Sequence, residues 1–173
     1  MKALWGRMGL LAAAMAFLLA VATACGGSKA DATVFMMFPQ NSPFNKQDEV
    51  VKTLTAKLGE KPTVEVSISP IFEMQKMIVD LAAGDWSVYV LPKEQFDGFK
   101  KEGGFVPLDD VLKKEDFPDG VYDGQLVGVP LKDSKLLKDA GYKGGEVYGF
   151  IIQRLKEGKR EAAKQVLKAM AER

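Results

Sequence analysis

Apolar positions change period several times along the chain, and each change predicts an element. "TVFMMF", residues 33–38, is apolar on both faces, the pattern of a strand buried in the middle of a sheet. "PQNSPFN" breaks it. From Lys46 the period becomes helical, with Val50, Val51, Leu54 and Leu58 on one face and Gly59 as the stop. "TVEVSIS", 63–69, alternates and predicts a second strand. Ser69-Pro70 has the composition of a helix start, with serine at the cap and proline at the first helical position. Ile71, Met74, Ile78 and Leu81 then form an apolar stripe that ends at Gly84. "WSVYVL", 86–91, predicts a third strand, followed by a helix over 92–101.

The second half is less regular. "FVPLDDVL" predicts a turn and a short helix, and Asp109-Asp110 are expected to cap it. Residues 113–124 carry Pro, Gly and Asp without periodicity and predict a loop. "QLVGVPL", 125–131, and "EVYGFII", 146–152, predict a fourth and a fifth strand, with a helical turn or two between them at "SKLLKDAGY". A closing amphipathic helix places Ala163, Val166, Leu167 and Met170 on one face. Strands alternating with helices predict an α/β fold, a mainly parallel doubly wound sheet of about five strands with helices on both faces.

Right-handed crossovers place 33–38 in the centre of that sheet, flanked by 63–69 and 86–91, all parallel. In such sheets ligands bind outside the carboxyl ends of the strands. The candidate binding residues are therefore Pro39, Gln40, Asn41 and Ser42 after the first strand, Ser69 and Phe72 after the second, and Pro92, Lys93 and Glu94 after the third. Trp86 lies at the opposite, amino end. Its expected role is structural, covering the apolar edge of the helix that ends at Leu81, with its N–H near water or a carbonyl.

Composition narrows the chemistry. There are 24 basic and 23 acidic residues among 173, and no basic stripe, which argues against nucleic acid as a partner. There is no histidine, which removes the commonest general base and metal ligand. The acidic residues Asp116, Asp119 and Asp123 lack the spacing of a calcium loop. Gly144-Gly145 and Gly149 do not form a dinucleotide fingerprint. Met36, Met37, Met74 and Met77 are expected to fill core. No catalytic set emerges, so the expectation is a non-enzymatic protein without cofactor or metal.

The sole cysteine, Cys25, follows Lys2, Arg7 and an apolar run from Met8 to Ala22. A basic head, a short apolar stretch and small residues before a cut site are what an export signal requires. "ATAC", Ala22 to Cys25, resembles a bacterial lipobox, with Ala22 in the place of the usual leucine. On that reading 1–24 is a lipoprotein signal helix, Cys25 is lipidated, 25–32 is a flexible tether and 33–173 is the folded lobe. A diacylglyceryl group fits the anchoring requirement, since one acyl chain alone holds only marginally.

"MIVDLAAGDWSVYVLP", "GFVPLDDVL" and "DGQLVGVPL" occur in this order. Together they resemble the N-terminal lobe of bacterial extracellular solute-binding proteins, the lipoprotein receptors of ABC importers. Trp86-Ser87 departs from the Pro-Asp usual after Gly-Asp in that family. A full receptor also has a second lobe of similar size after its "G-V-P" strand, whereas here Val129-Pro130-Leu131 leads almost directly to the closing strand and helix. The resemblance implies a lipid-anchored protein on the extracytoplasmic face of the cell membrane. It would bind a small solute, a carbohydrate or related molecule, for an ABC permease. The alternative is an accessory lipoprotein whose single lobe docks on other envelope proteins.

Overall fold

The computed structural model describes residues 30–173. The segment expected to be a signal peptide, 1–24, and Cys25 lie outside the described residues. β1 (Ala32–Met37) is buried along its whole length. It pairs in parallel with β2 (Val64–Ser69) on one side, Ala32 opposite Val64, and with β3 (Val88–Pro92) on the other, Val34 opposite Val88. The expected flanking of β1 is thus observed. The sheet continues beyond β3 through β7 (Val147–Phe150) to β6 (Val129–Pro130), in the order β2-β1-β3-β7-β6. The middle strand by count is therefore β3. β7 is antiparallel to both neighbours, with Tyr89 opposite Phe150 and Val129 opposite Gly149, so it alone runs against the other four. β1 begins one residue earlier than expected. Asp31, just before it, is already held, its carboxylate accepting from the N–H and the hydroxyl of Thr63, both at 2.9 Å. These bonds hold the Asp31 carboxyl below the usual carboxylate range.

Helices cover both faces. On one, Val34, Met36, Val88 and Val90 pack with Val50 and Leu54 of α1 (Gln47–Leu58), Leu136 and Leu137 of α4 (Lys135–Asp139), and the expected apolar face of α5 (Glu157–Ala171). On the other, Phe35, Met37, Tyr89 and Leu91 pack with Met77 of α2 (Met74–Ala83) and Phe96 of α3 (Lys93–Lys100). Alternation along β1 and β3 therefore feeds two cores, the reason β1 carries no residue that water could reach.

Several expectations are corrected. Ser69-Pro70 does not start α2. The Ser69 hydroxyl donates to the Ile71 carbonyl at 2.9 Å in a turn, and the helix begins at Met74. The stripe Ile71, Met74, Ile78, Leu81 is not the inward face either; Met77 is, with Leu81 beside it. The floor explains this. On the side of the sheet that α2 covers, Met77 packs among Phe35 and Met37 of β1 and Tyr89 and Leu91 of β3, whereas β2 carries Glu65, Ser67 and Ser69 on that side. Asp109 and Asp110 cap no helix. Asp109 accepts the Leu126 N–H at 3.1 Å, and Asp110 neutralises the buried Lys164 ammonium at 2.7 Å. The stretch 125–131 is not one strand. β5 (Gln125–Leu126) turns back on β4 (Val121–Tyr122) in a small hairpin, and only Val129-Pro130 joins the main sheet. The hairpin turn is Asp123-Gly124, both at positive φ (50° and 77°), the backbone that an Asp-Gly pair adopts readily.

At the junction between α2 and β3, Trp86 packs against the core as expected, with its N–H on a carboxylate in place of the expected water or carbonyl. The Trp86 indole is half-buried and lies 5.6 Å from the Phe35 ring, and its N–H donates to the Asp80 carboxylate at 3.1 Å. Asp80 also takes Lys76 at 2.9 Å. Gly84 is required by this packing, because a Cβ there would come within 2.4 Å of the Asp80 carbonyl and 2.7 Å of the indole. Beside Trp86, the buried Ser87 N–H donates to the Thr33 hydroxyl at 3.0 Å, which itself donates to the Asp85 carbonyl at 2.9 Å, tying the start of β3 to β1. Arg154, arriving after β7, closes the end of α2. Its guanidinium donates to the carbonyls of Ala82 (2.7 Å) and Gly84 and to the Tyr89 hydroxyl (3.0 Å), the favourable placement for a cation at a helix C-terminus.

Trp86→Ala is expected to lower stability by about 2–4 kcal/mol, as large aromatic truncations in partly collapsible sites do. Urea denaturation measures this, and an unchanged midpoint would contradict the packing described. A second expectation concerns alkaline pH. Burial pushes the phenols of Tyr89, Tyr142 and Tyr148 up to about 12. A folded-state value above the unfolded one, near 10, contributes stability that is complete below about pH 10 and lost as pH rises through about 12. The urea midpoint should therefore fall across that window, and Tyr142→Phe should soften the fall. Phenolate absorbance from these three residues near pH 10 in the folded protein would refute it.

Candidate functional site

The carboxyl ends of β1, β2 and β3 open onto a shared concavity. After β1, Pro39 ends the ladder because it has no N–H to donate, and the Ser42 N–H closes a turn onto the Pro39 carbonyl at 2.9 Å. This turn raises Gln40 and Asn41 above the sheet. After β2, the Ser69–Ile71 turn delivers Phe72, whose half-buried ring rests against the core under α2. After β3 the chain enters α3 directly from Pro92, and the Lys93 N–H is held by the Glu146 carbonyl at 3.0 Å.

A cleft of about 460 Å³ lies between these turns, lined by Pro39, Gln40, Asn41, Phe72, Pro92, Glu94 and Gln95. Six of the nine sequence-predicted residues thus surround one space. It shares Pro39, Gln40 and Phe72 with a neighbouring concavity of about 390 Å³ that Ser69, Ile71 and Phe44 also border. Ser42 is in a third and smaller recess of about 250 Å³, facing Tyr142 and Gly144. Its hydroxyl is turned to Asn41 Oδ1 at 3.3 Å. Lys93 is not brought to the cleft. Its ammonium pairs with Asp97 and lies 5.5 Å from the Tyr148 ring centroid. Burial pushes the Asp97 carboxyl up, but Lys100 at 2.6 Å and Lys93 hold it below its ordinary value.

Under this end of the sheet three rings form a closed cluster. Phe38 is 4.7 Å from Phe44 and 4.8 Å from Tyr142, and Phe44 and Tyr142 are 5.5 Å apart. The Tyr142 hydroxyl donates to the Gly145 carbonyl at 2.8 Å within the loop between α4 and β7, and its ring contacts with Phe38 and Phe44 join that loop to the segment after β1. Gln95 and Tyr142 are absent from the sequence-predicted set. Gln95 lies one residue past Glu94, in the same first turn of α3. Tyr142 arrives from a distant loop with no local pattern to mark it.

Volume alone does not single out this cleft. Concavities of about 480 and 530 Å³ open elsewhere. The first is bordered by Asp31, Lys61, Lys159 and Glu161 at the amino end of β1. The second borders the Asp110–Lys164 pair. Position and lining distinguish the cleft. It combines a ring and two prolines with three side-chain amides and a carboxylate, an apolar wall with a few convergent polar groups, which suits a small polar solute. No nucleophile stands beside a base here, and among the described residues no group of three acidic, histidine or cysteine side chains could hold a metal.

No family model and no curated protein matches the chain. Solved structures similar to it include several solute-binding proteins. An extracellular solute-binding protein of family 1 from Alicyclobacillus acidocaldarius is 20% identical, with a TM-score of 0.43 over 60% of this chain and 29% of its own. An ABC substrate-binding protein from Listeria monocytogenes, in complex with cycloalternan, is also 20% identical, with a TM-score of 0.42 over 61% of this chain and 29% of its own. A periplasmic TRAP solute-binding protein from Desulfovibrio desulfuricans, with bound sn-glycerol-3-phosphate, is 12% identical, with a TM-score of 0.38 over 81% of this chain and 77% of its own. The chain therefore spans less than a third of the length of the first two proteins.

Proposed function

We propose that this lobe binds a small polar solute in the cleft at the carboxyl ends of β1, β2 and β3. In this reading it serves as a lipid-anchored extracytoplasmic protein of the kind that supplies ABC importers. The observation that carries the reading is the convergence of Gln40, Asn41, Phe72 and Glu94, from three separate turns, on one cleft of about 460 Å³. The ordered motifs from Leu81 to Pro130 that resemble solute-binding receptors support the same assignment. No catalytic role is included in it.

A thermal-shift screen of sugars, amino acids and other small solutes against residues 25–173 tests the proposal, because anything that binds only the native state raises its apparent stability. At least one solute should raise the melting temperature, and Gln40→Ala combined with Gln95→Ala should abolish that rise without moving the ligand-free midpoint. A rise that survives both substitutions would place binding elsewhere. For the anchor, Cys25→Ser should release the protein from membranes or stall its processing, and an unmodified Cys25 in intact-mass spectra from the native host would contradict lipidation.

One observation favours the docking alternative. Ile71, Met74, Ile78 and Val79 are 65%, 46%, 51% and 63% exposed. They lie on and just before α2, with Met74 and Ile78 one turn apart on the same face, and exposed apolar residues of this kind mark contact sites where they join into a patch. In the docking reading this flank, and not the cleft, carries the function. Ile78→Lys would then abolish partner binding while leaving any solute-induced thermal shift intact.

A further inference from the structure

The charges around the cleft are unevenly arranged. Glu94 is the one ionised side chain in its lining, and it is exposed. No ion pair or hydrogen bond engages its carboxylate among the described residues, although lysines stand on the same helix. Both neighbouring ammonium groups are committed to the far side of α3. Lys93 is on Asp97 and over the Tyr148 ring, and Lys100 is on Asp97 at 2.6 Å and 5.3 Å from the Phe96 ring centroid. The rest of the lining includes an aromatic ring, Phe72, and the amides of Gln40, Asn41 and Gln95, which can both donate and accept. A carboxylate without a counter-ion and a ring in one cleft favour an ammonium group over a neutral hydroxyl, while the amides suit hydroxyls.

Resting on the solute-binding reading above, we infer that the cleft selects a hydroxylated organic cation, with Glu94 as the residue that determines its charge preference. The ligand's ammonium would lie between the Glu94 carboxylate and the Phe72 ring, and its hydroxyls would meet the amides. A carboxylate in the first turn of α3 also offsets the positive end of the helix. That role alone predicts a stability change on substitution and no change in ligand preference, so the two roles separate experimentally.

The test titrates residues 25–173 with D-glucosamine and with D-glucose by calorimetry, two probes of one shape that differ at a single position, ammonium against hydroxyl. The cation should bind at least tenfold more tightly. The ratio should shrink as sodium chloride is raised, since this exposed charge is screened. Glu94→Gln should bring the two probes to within about twofold of each other, and Phe72→Leu should weaken glucosamine more than glucose. Circular dichroism melting of both variants confirms that they fold. Glucose binding as tightly as glucosamine, or a preference that survives Glu94→Gln, overturns the inference. If neither sugar binds, the inference is likewise overturned. The solute-binding reading falls separately, only if the full screen finds nothing that the Gln40 and Gln95 substitutions abolish.

Discussion

The burial of β1 on both faces is the constraint on which the rest of the fold depends. Six consecutive residues with no solvent-facing position require a strand on each side and a helical layer above and below. β2 and β3 supply the ladders; α1 and α5 close one face and α2 the other. Once β1 is enclosed, its carboxyl end is the point from which the chain leaves the sheet, at Pro39. The crossovers carry the ends of β2 and β3 to the same side. The cleft is what remains where three chains turn away from a common edge.

The opposite end of the sheet is closed by different means. Trp86 and Gly84 fit together, Asp80 binds both the indole and Lys76, and Arg154 binds the last carbonyls of α2. Thr33 and Ser87 replace an apolar contact between β1 and β3 with hydrogen bonds. Every polar group named here has a partner, so this end is a built structural joint. At the carboxyl end Gln40, Gln95 and Glu94 remain without partners among the described residues. Polar side chains are thus paired within the protein at one end of the sheet and left to solvent at the other.

Much of this was legible in the chain. Two-sided apolarity identifies β1, right-handed crossovers give its flanking strands, and the face of α5 is legible at Ala163, Val166, Leu167 and Met170 because a long helix averages over local exceptions. The stripe on α2 was misread because periodicity reports that a helix has an apolar side, not what floor it meets. That floor is Phe35 and Met37 of β1 and Tyr89 and Leu91 of β3, which lie in other elements. Asp109 and Asp110 were assigned to a cap because their true partners, Leu126 N–H and Lys164, are distant in sequence. The cleft residues followed from a topological rule, which gives positions but not orientations. The rule therefore includes Lys93, although its ammonium is drawn to Asp97, and omits Gln95, which lines the cleft from the same first turn of α3.

The central claim is that ligand binding belongs to the carboxyl edge of β1, β2 and β3. Backbone amide chemical shifts, recorded with and without the solute that gives the largest thermal shift, address it most directly. The account predicts the largest changes at Gln40, Asn41, Phe72, Glu94 and Gln95, with Trp86 and Ser87 unmoved. Changes centred on Asp31, Lys61 and Gln165 at the amino edge, with the carboxyl edge silent, would contradict it.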